Sequence, residues 1–406
     1  MTATISQARD SGVAAARLAV EEAFAMPFMT SAQIQVAWRL RHPVEVSRLE
    51  TLRRGLIEGP LSRRLVAARV PGARPYWSRS AHHYPLVVEK GTIPAAQAVR
   101  WVERQAITEL DLHAGRGWVL SATDLDNGES VVSLVVSHAI TDGQGISAAI
   151  DLAARADGSH TVPDLAPPSL AADVLDAAKY GALLVPGGAL LRLMARRVAR
   201  NSEAGPLEAR LPAIVAIDSA TLRATAEQYG GTVTGLITTA ATNVAHALRG
   251  RPAGDLRVAS WVSHREDGDI GTGNKVKLAE FALTLPGDER HTDLAEVRSR
   301  SKAAYAAAAT PNVFVVGADA VVSNTGPVPQ AIIEAVGTAR AVAARAWIPK
   351  TSLLDKPYNR GVRVFVQTTP DTTFLTFQPP LPATTPLTPL VIDELEQWGI
   401  TPEFVW

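Results

Sequence analysis

The chain has 406 residues and 47% hydrophobic content, enough for two domains of ordinary size or one large bilobal body. Forty basic and forty acidic residues cancel, so no overall field draws the protein to nucleic acid or to an anionic membrane. There is no cysteine, which excludes disulfides, thiolate nucleophiles and cysteine-rich zinc sites and leads us to expect a cytoplasmic protein.

The N-terminal MTATISQARDSG lacks a basic stretch followed by an apolar run, so no signal peptide is expected. QIQVAWRL (33–40) alternates and reads as a strand, and VEVSRLETLRRGLIEG carries apolar residues at helical spacing up to Gly59. GWVLSATDL and SVVSLVVS read as two strands joined by the turn residues Asp126, Asn127 and Gly128. From Gly145, GISAAIDLAARADG reads as a helix closed by Gly158, and the Pro-rich TVPDLAPPS marks a boundary. GALLVPGGALLRLMARRVAR (181–200) is the oiliest candidate span. Its apolar part falls far below the roughly 20 residues a membrane helix needs, and Pro186, Gly187 and Gly188 interrupt it. Its basic end, with Arg192, Arg196, Arg197 and Arg200, suits a surface crossover helix or a peripheral segment that touches lipid.

In the second half LPAIVAI reads as a strand, and Asp218 and Ser219 can cap the helix that follows. A helix over Val233 to Leu248 stops at Gly250, and DLRVASWVSHRED is a strand that finishes on charged residues. AEFALTL reads as a strand, DLAEVRSRSKAAYAAAA as a helix, VRVFVQTTPDTTFLTFQ as a hairpin about Pro370 and Asp371, and VIDELEQW as a closing helix. The fold class expected is therefore α/β in two lobes. The N-terminal lobe is 1–160, a Pro-rich linker with a crossover helix is 161–210, and the C-terminal lobe is 211–406. A cleft between two such lobes is a common substrate site.

One stretch carries chemistry. SVVSLVVS is apolar enough to be buried on both faces, and His138 lies at its C-terminal end. An imidazole near its pKa can take a proton and return it. Asp142, four residues on, can brace the turn HAITDG, and Gly143 would permit the backbone angles of that turn. A structural reading stands beside this one: a histidine satisfied at a strand end, and Asp142 as a helix N-cap. His138 and Asp142 alone make a poor metal site, so no metal is expected. Gly143, Gly145 and Ala148 also spell G-x-G-x-x-A, the dinucleotide fingerprint of an oxidoreductase. HAITD, however, separates strand from glycine where a tight turn is needed.

SHAITDGQG resembles the HxxxDG signature of the condensation-domain and CoA-dependent acyltransferase superfamily. The branches most similar are the polyketide-associated and the wax ester synthase/diacylglycerol acyltransferase-like ones. WVSHRED (261–267) is similar to the segment that closes on an arginine in the second lobe. GNKVKLAEFALTLP (273–286) resembles the family's Gly-Asn stretch, and VVSNTGPVP (321–329) its SN-x-x-G loop. Four elements in order spread the resemblance over nearly the whole chain.

The resemblance implies two chloramphenicol-acetyltransferase-like lobes with a substrate tunnel at their interface and His138 at its middle as general base. It implies that Asp142 is structural and pairs with Arg265. Developing oxyanion charge would meet the Asn324 amide, beside Ser323, or backbone N–H groups near Gly143. The alternative for SNTGP is a plain turn. No cofactor is expected to be bound permanently; acyl-CoA or an acyl-phosphopantetheine on a carrier protein would be co-substrate, and a small hydroxyl or amine compound the acceptor. Lys275 and Lys277 could meet CoA phosphates or an acidic carrier, or lie in a solvated loop. Lipid or natural-product assembly is the implied setting. Ser137 replaces the first histidine of HHxxxDG, which argues against a peptide-forming condensation domain, and the plant-type DFGWG motif is absent. Two further readings stay open: a standalone condensation-type enzyme strictly dependent on carrier-bound substrates, and a fold relative that binds ligand or catalyses cyclisation without acyl transfer. His82 and His83 would face opposite ways in a strand and make a poor joint ligand set, and His264 would point opposite to Arg265.

Overall fold

The computed structural model describes residues 17–30, 32–155, 166–181, 206–263, 265, 273–285, 287–308, 317–347 and 361–406. The first half runs α1 (Val20–Met29), β1 (Gln33–Leu40), α2 (Val46–Glu58), β2 (Arg63–Val66), β3 (Tyr76–Arg79) and β4 (Val87–Ile93). It continues with α3 (Ala98–Ala106), β5 (Trp118–Leu125), β6 (Ser130–Ser137), α4 (Gly143–Arg155) and α5 (170–181). The second half opens with α6 (Leu207–Arg210), β7 (Ala213–Asp218), α7 (Ser219–Gln228), α8 (Val233–Leu248), β8 (Gly254–Ser263) and β9 (Val276–Leu285). It closes with α9 (Leu294–Ala306), β10 (Ala320–Pro327), α10 (Gln330–Glu334), β11 (Ala339–Trp347), β12 (Val362–Thr368), β13 (Thr372–Gln378), α11 (Leu387–Gln397) and β14 (Phe404–Val405).

SVVSLVVS becomes β6, buried at all eight positions, because it is the middle strand of a five-stranded sheet ordered β11-β1-β6-β5-β4. Helix α2 buries Leu49, Leu52 and Leu56, one stripe at helical spacing, and packs on α4. The two helices approach so closely at Gly55 that a Cβ there would stand 2.6 Å from the Ala153 backbone. The second sheet has seven strands, β14-β7-β13-β12-β10-β8-β9. Against it lies α8, opened by Thr232, whose hydroxyl accepts from Gly235 N at 3.1 Å. Asp218 caps α7 as its position suggests, accepting from Thr221 N at 2.6 Å. Ser219 is instead the first residue of that helix, and its hydroxyl lies 2.9 Å from Thr373 Oγ1.

Two strands depart from the sequence reading. VVSNTGP, read as a loop, is strand β10, parallel to both β8 and β12 inside the second sheet. Ala320 to Ser323 pair on both sides, while Asn324 and Pro327 pair with β12 alone across a break in register, so the strand carries its turn residues at its end. ARAVAARAW, to which the sequence reading assigns no element, is β11, antiparallel to β1 with Arg345 opposite Gln35. The expected lobe of residues 211–406 therefore gives one strand to the sheet of the other lobe.

That crossover ties the lobes together. Arg345, 2% exposed, donates to Glu103 Oε2 on α3 at 2.7 Å, to Gln35 Oε1 at 2.8 Å and to Gln378 Oε1 on β13 at 3.3 Å. At the other end of β11, the guanidinium of Arg340 lies 4.1 Å from the ring centre of Phe404 on β14, and that of Arg39 lies 5.2 Å away. Both arginines bind Glu129. Burial works to raise the Glu129 carboxyl, but hydrogen bonds from Arg340, Asn127 and Arg39 hold it down at about 2.

Among the described residues no helix is long and apolar enough to cross a membrane, and no cluster of three or more His, Asp or Glu could hold a metal ion. Gly158, most of TVPDLAPPS, the basic end of GALLVPGGALLRLMARRVAR and His264 lie outside the described residues.

Candidate active site

His138 follows directly on β6, and its backbone N–H donates to Ala32 O at 2.8 Å, extending the β1–β6 pairing by one residue. The chain then turns: Ile140 N donates to Ser137 O at 3.1 Å, and α4 begins at Gly143. The helix thus starts two residues before the expected Gly145. Gly143 does not use the left-handed backbone region, so its expected role in giving the turn special angles is corrected. The glycine that the turn requires is Gly145. A Cβ there would stand 1.8 Å from Thr141 Oγ1 and 3.1 Å from Arg265 Nη2, whereas at Gly143 the nearest atom is the Thr325 methyl at 3.3 Å.

Asp142, 3% exposed, does both things the sequence allows. It caps α4, accepting from Gly145 N at 3.0 Å, and it binds Arg265, whose Nε lies 2.9 and 3.1 Å from the two carboxylate oxygens. Its second oxygen also accepts from Lys275 N at 2.9 Å. Arg265 further donates to Thr141 Oγ1 at 3.2 Å and to Gly273 O. Gly273 N returns a bond to Ile140 O at 3.0 Å, and Ser263 Oγ donates to Gln144 Oε1 at 2.6 Å. The turn after β6 is therefore stitched at five residues, Ile140, Thr141, Asp142, Gln144 and His138 itself, to the segment that joins β8 to β9. The bond at His138 comes from Asn274, whose Nδ2 donates to His138 O at 3.0 Å.

The His138 residue is half-buried. Nδ1 of its ring is sealed from solvent. Burial pushes the imidazole below the ordinary histidine value of 6.5, against the opposing pull of its own carbonyl, the Asp142 carboxylate and the Asn274 amide. A neutral ring at pH 7 is the form that can accept a proton.

Ser323 and Asn324 sit on β10 near its end. Asn324 is exposed, and its amide is occupied by its own surroundings: Nδ2 donates to Thr234 Oγ1 at 3.2 Å and Oδ1 accepts from Gly326 N at 2.9 Å. The residue of this loop that approaches the motif turn is Thr325, against Gly143. Lys277 is in strand β9 opposite Val262, while Lys275 is exposed with its backbone on Asp142. His83 lies in a loop after β3, with Nε2 3.2 Å from Ser62 Oγ and its ring 5.7 Å from that of Trp118. Sequence reasoning missed Gly145, Thr325 and Asn274 as members of the site. The Gly-Asn step at 273–274 was the one available signal among them.

No family model and no curated protein matches the sequence. Solved structures do. The first condensation domain of the CDA synthetase superposes with TM-score 0.58 at 16% identity, covering 96% of this chain and 96% of that one. The nonribosomal peptide synthetase FmoA3 gives TM-score 0.59 at 16% identity over 96% of this chain, which spans only 45% of that one. The starter condensation domain of rhizomide synthetase RzmA, solved with C8-CoA and Leu-SNAC, gives TM-score 0.54 at 13% identity, covering 97% and 94%. At these identities the likeness speaks for the fold. The chain has the fold of these condensation domains, two chloramphenicol-acetyltransferase-like lobes.

Proposed function

We propose that the protein is an acyltransferase that moves an acyl group from a CoA or carrier-protein thioester to a hydroxyl or amine acceptor, with His138 as general base. The observation that carries this reading is a half-buried, depressed-pKa imidazole on a turn clamped across the two lobes by Asp142 and Arg265. The condensation-type fold supports it. So does the place of His138 directly after the middle strand of its sheet, where its carbonyl meets Asn274 of the second half.

A thioester carbonyl is already electrophilic, so the remaining task is deprotonation of the acceptor. As the acceptor oxygen or nitrogen bonds to the thioester carbon, its proton passes to Nε2 of His138. Collapse of the tetrahedral intermediate breaks the C–S bond, and the same proton goes to the departing thiolate. The oxyanion role falls to backbone N–H groups at the start of α4, next to Gly143, or to the Asn324 amide, which has a second N–H beside the one given to Thr234. No acyl-enzyme is invoked, since the chain has neither a cysteine nor a G-x-S-x-G elbow. The tunnel between the lobes and the 161–210 linker belong to this proposal as well.

A thiol-reactive dye reports released CoA or pantetheine directly, because the protein contributes no thiol. Thiol release that requires an acceptor, and falls by about 10²–10⁴ in His138→Ala, is the expected result. Unchanged turnover in that variant refutes the general-base role. Running the assay with free acyl-CoA and with acyl carrier protein separates a CoA-dependent enzyme from a strictly carrier-dependent one. Tight thioester binding with no release across a broad panel would mean a fold relative that does not transfer acyl groups.

A further inference from the structure

The second lobe holds a cavity of about 50 Å³ that opens to solvent between the C-terminal end of α8 and α11. Asn243, His246, Arg251, Arg290, Asp393 and Glu394 are among the residues that line it. Helix α8 runs from the candidate active site to this cavity. Thr234, in its first turn, receives the Asn324 amide, and His246 stands about 18 Å farther along the axis. The cavity is a site of its own, with no lining residue from the motif turn.

One ion pair in its wall is already closed. Glu394, 6% exposed, accepts from Asn243 Nδ2 at 2.8 Å, from Trp398 Nε1 at 2.7 Å, and from Arg290 through Nη2 at 2.8 Å and Nε at 2.9 Å. The charges of Glu394 and Arg290 thus cancel, and the other groups are left for a ligand. His246 is 2% exposed, and its Nε2 lies 3.1 Å from Pro252 O. A carbonyl only accepts, so Nε2 carries the hydrogen and Nδ1 of the neutral ring keeps a lone pair. Asp393 is exposed and makes no hydrogen bond or ion pair among the described residues. Arg251 uses one N–H on Asp288 O at 3.2 Å and has four more to donate. Its φ is 53°, and among the described residues it is the one non-glycine in the left-handed region. Such backbone strain gathers at ligand clamps. Arg251 N is fixed to His246 O at 3.0 Å, which keeps the two residues on the same side of the cavity.

The groups left over have both signs. The His246 lone pair, the Asp393 carboxylate and the negative end of the α8 dipole suit a cation, whereas the Arg251 guanidinium suits an anion. A simple cation would be opposed by Arg251 and a simple anion by Asp393, so the ligand that uses every group carries both charges. A cavity of about 50 Å³ admits a few heavy atoms at most. We propose that it binds a small free α-amino acid of the size of glycine or alanine, with the ammonium on His246 Nδ1 and Asp393 and the carboxylate on Arg251. This site is independent of the general-base reading of His138.

The test titrates the full chain, carrying ring-¹⁵N histidine, with glycine and L-alanine, and with acetate and methylammonium as half-ligands. At least one of the two amino acids is expected to bind saturably in the millimolar range. The Nδ1 signal of His246, assigned by its loss in His246→Gln, is expected to move as that nitrogen gains a donor. Each half-ligand is expected to bind at least about tenfold more weakly, since it leaves one charged group unmatched. Asp393→Asn and Arg251→Gly should each weaken amino-acid binding about tenfold or more. Arg251→Gly also separates loss of the site from loss of the fold, because glycine suits a φ of 53° and Tm should not fall. A half-ligand that binds as tightly as the amino acids, no saturable shift with either amino acid, or unchanged affinity in the two folded variants overturns the proposal.

Discussion

Replacing Arg265 by methionine would leave the Asp142 carboxylate buried without its counter-charge. The two side chains are 4% and 5% exposed, so water reaches neither. In the wild type the carboxylate receives three donors: Arg265 Nε at 2.9 and 3.1 Å, Gly145 N at 3.0 Å and Lys275 N at 2.9 Å. Methionine fills much of the arginine volume and leaves the two backbone donors, but it also abandons Thr141 Oγ1 and Gly273 O. Removing one partner of a buried pair costs about 3–5 kcal/mol. With an unfolding entropy of about 2.1 cal/mol/K per residue, this becomes a fall in Tm of roughly 4–6 °C if the lobes unfold together. Differential scanning calorimetry measures both the fall and whether one transition or two occur. The double variant Asp142→Asn with Arg265→Met leaves no lone charge, so it is expected to be more stable than Arg265→Met alone. Because the same pair holds the turn that carries His138, kcat should fall more than tenfold in the single variant. A Tm within 1 °C of wild type, or single-variant costs that simply add in the double variant, would refute the reasoning.

Two further outcomes are expected. Because burial lowers the His138 pKa, the ring stays neutral at a pH where an ordinary histidine is already half protonated. The acid limb of kcat/KM against pH should therefore fall below 6.5, and a limb centred at or above 6.5 would contradict the assignment of His138 as base. Gly145→Ala places a methyl 1.8 Å from Thr141 Oγ1, forcing Thr141 off Arg265, and should lower both Tm and turnover, the latter at least tenfold. Gly143→Ala, with 3.3 Å to the nearest atom, should be much milder, and equal effects at the two glycines would show that space at Gly145 is not what matters.

Local patterns were sufficient for much of this protein. β6 could be read from an apolar run bounded by turn residues, α2 from leucines at helical spacing that stop at a glycine, and β12–β13 from two strands about Pro370 and Asp371. In each of these the decisive partner lies within a few residues, or the face to be buried shows in the residue period. β11 could not be read in that way, because five alanines and two arginines in ARAVAARAW leave no face rich in branched or aromatic residues. Its identity as a strand comes from β1, some 300 residues earlier, and from Glu103 and Gln378, which satisfy Arg345. β10 likewise ends in turn formers, and it is a strand because Ala320 to Ser323 pair with β8 on one side and β12 on the other.

The site divides along the same line. The run of apolar residues ending at His138, the acid four places on and the glycines after it are properties of the chain, and with the family resemblance they point to His138 as the proposed base and to the Asp142–Arg265 pair. The folded molecule alone shows which glycine lacks room for a side chain, that the Asn324 amide is held by Thr234 and Gly326, and that Asn274 reaches the carbonyl of His138. Burial periodicity is written locally in a chain, whereas the reach of Asn274 to His138 and of Arg265 to the space beside Gly145 joins segments more than a hundred residues apart, and exists only once the two sheets have closed on each other.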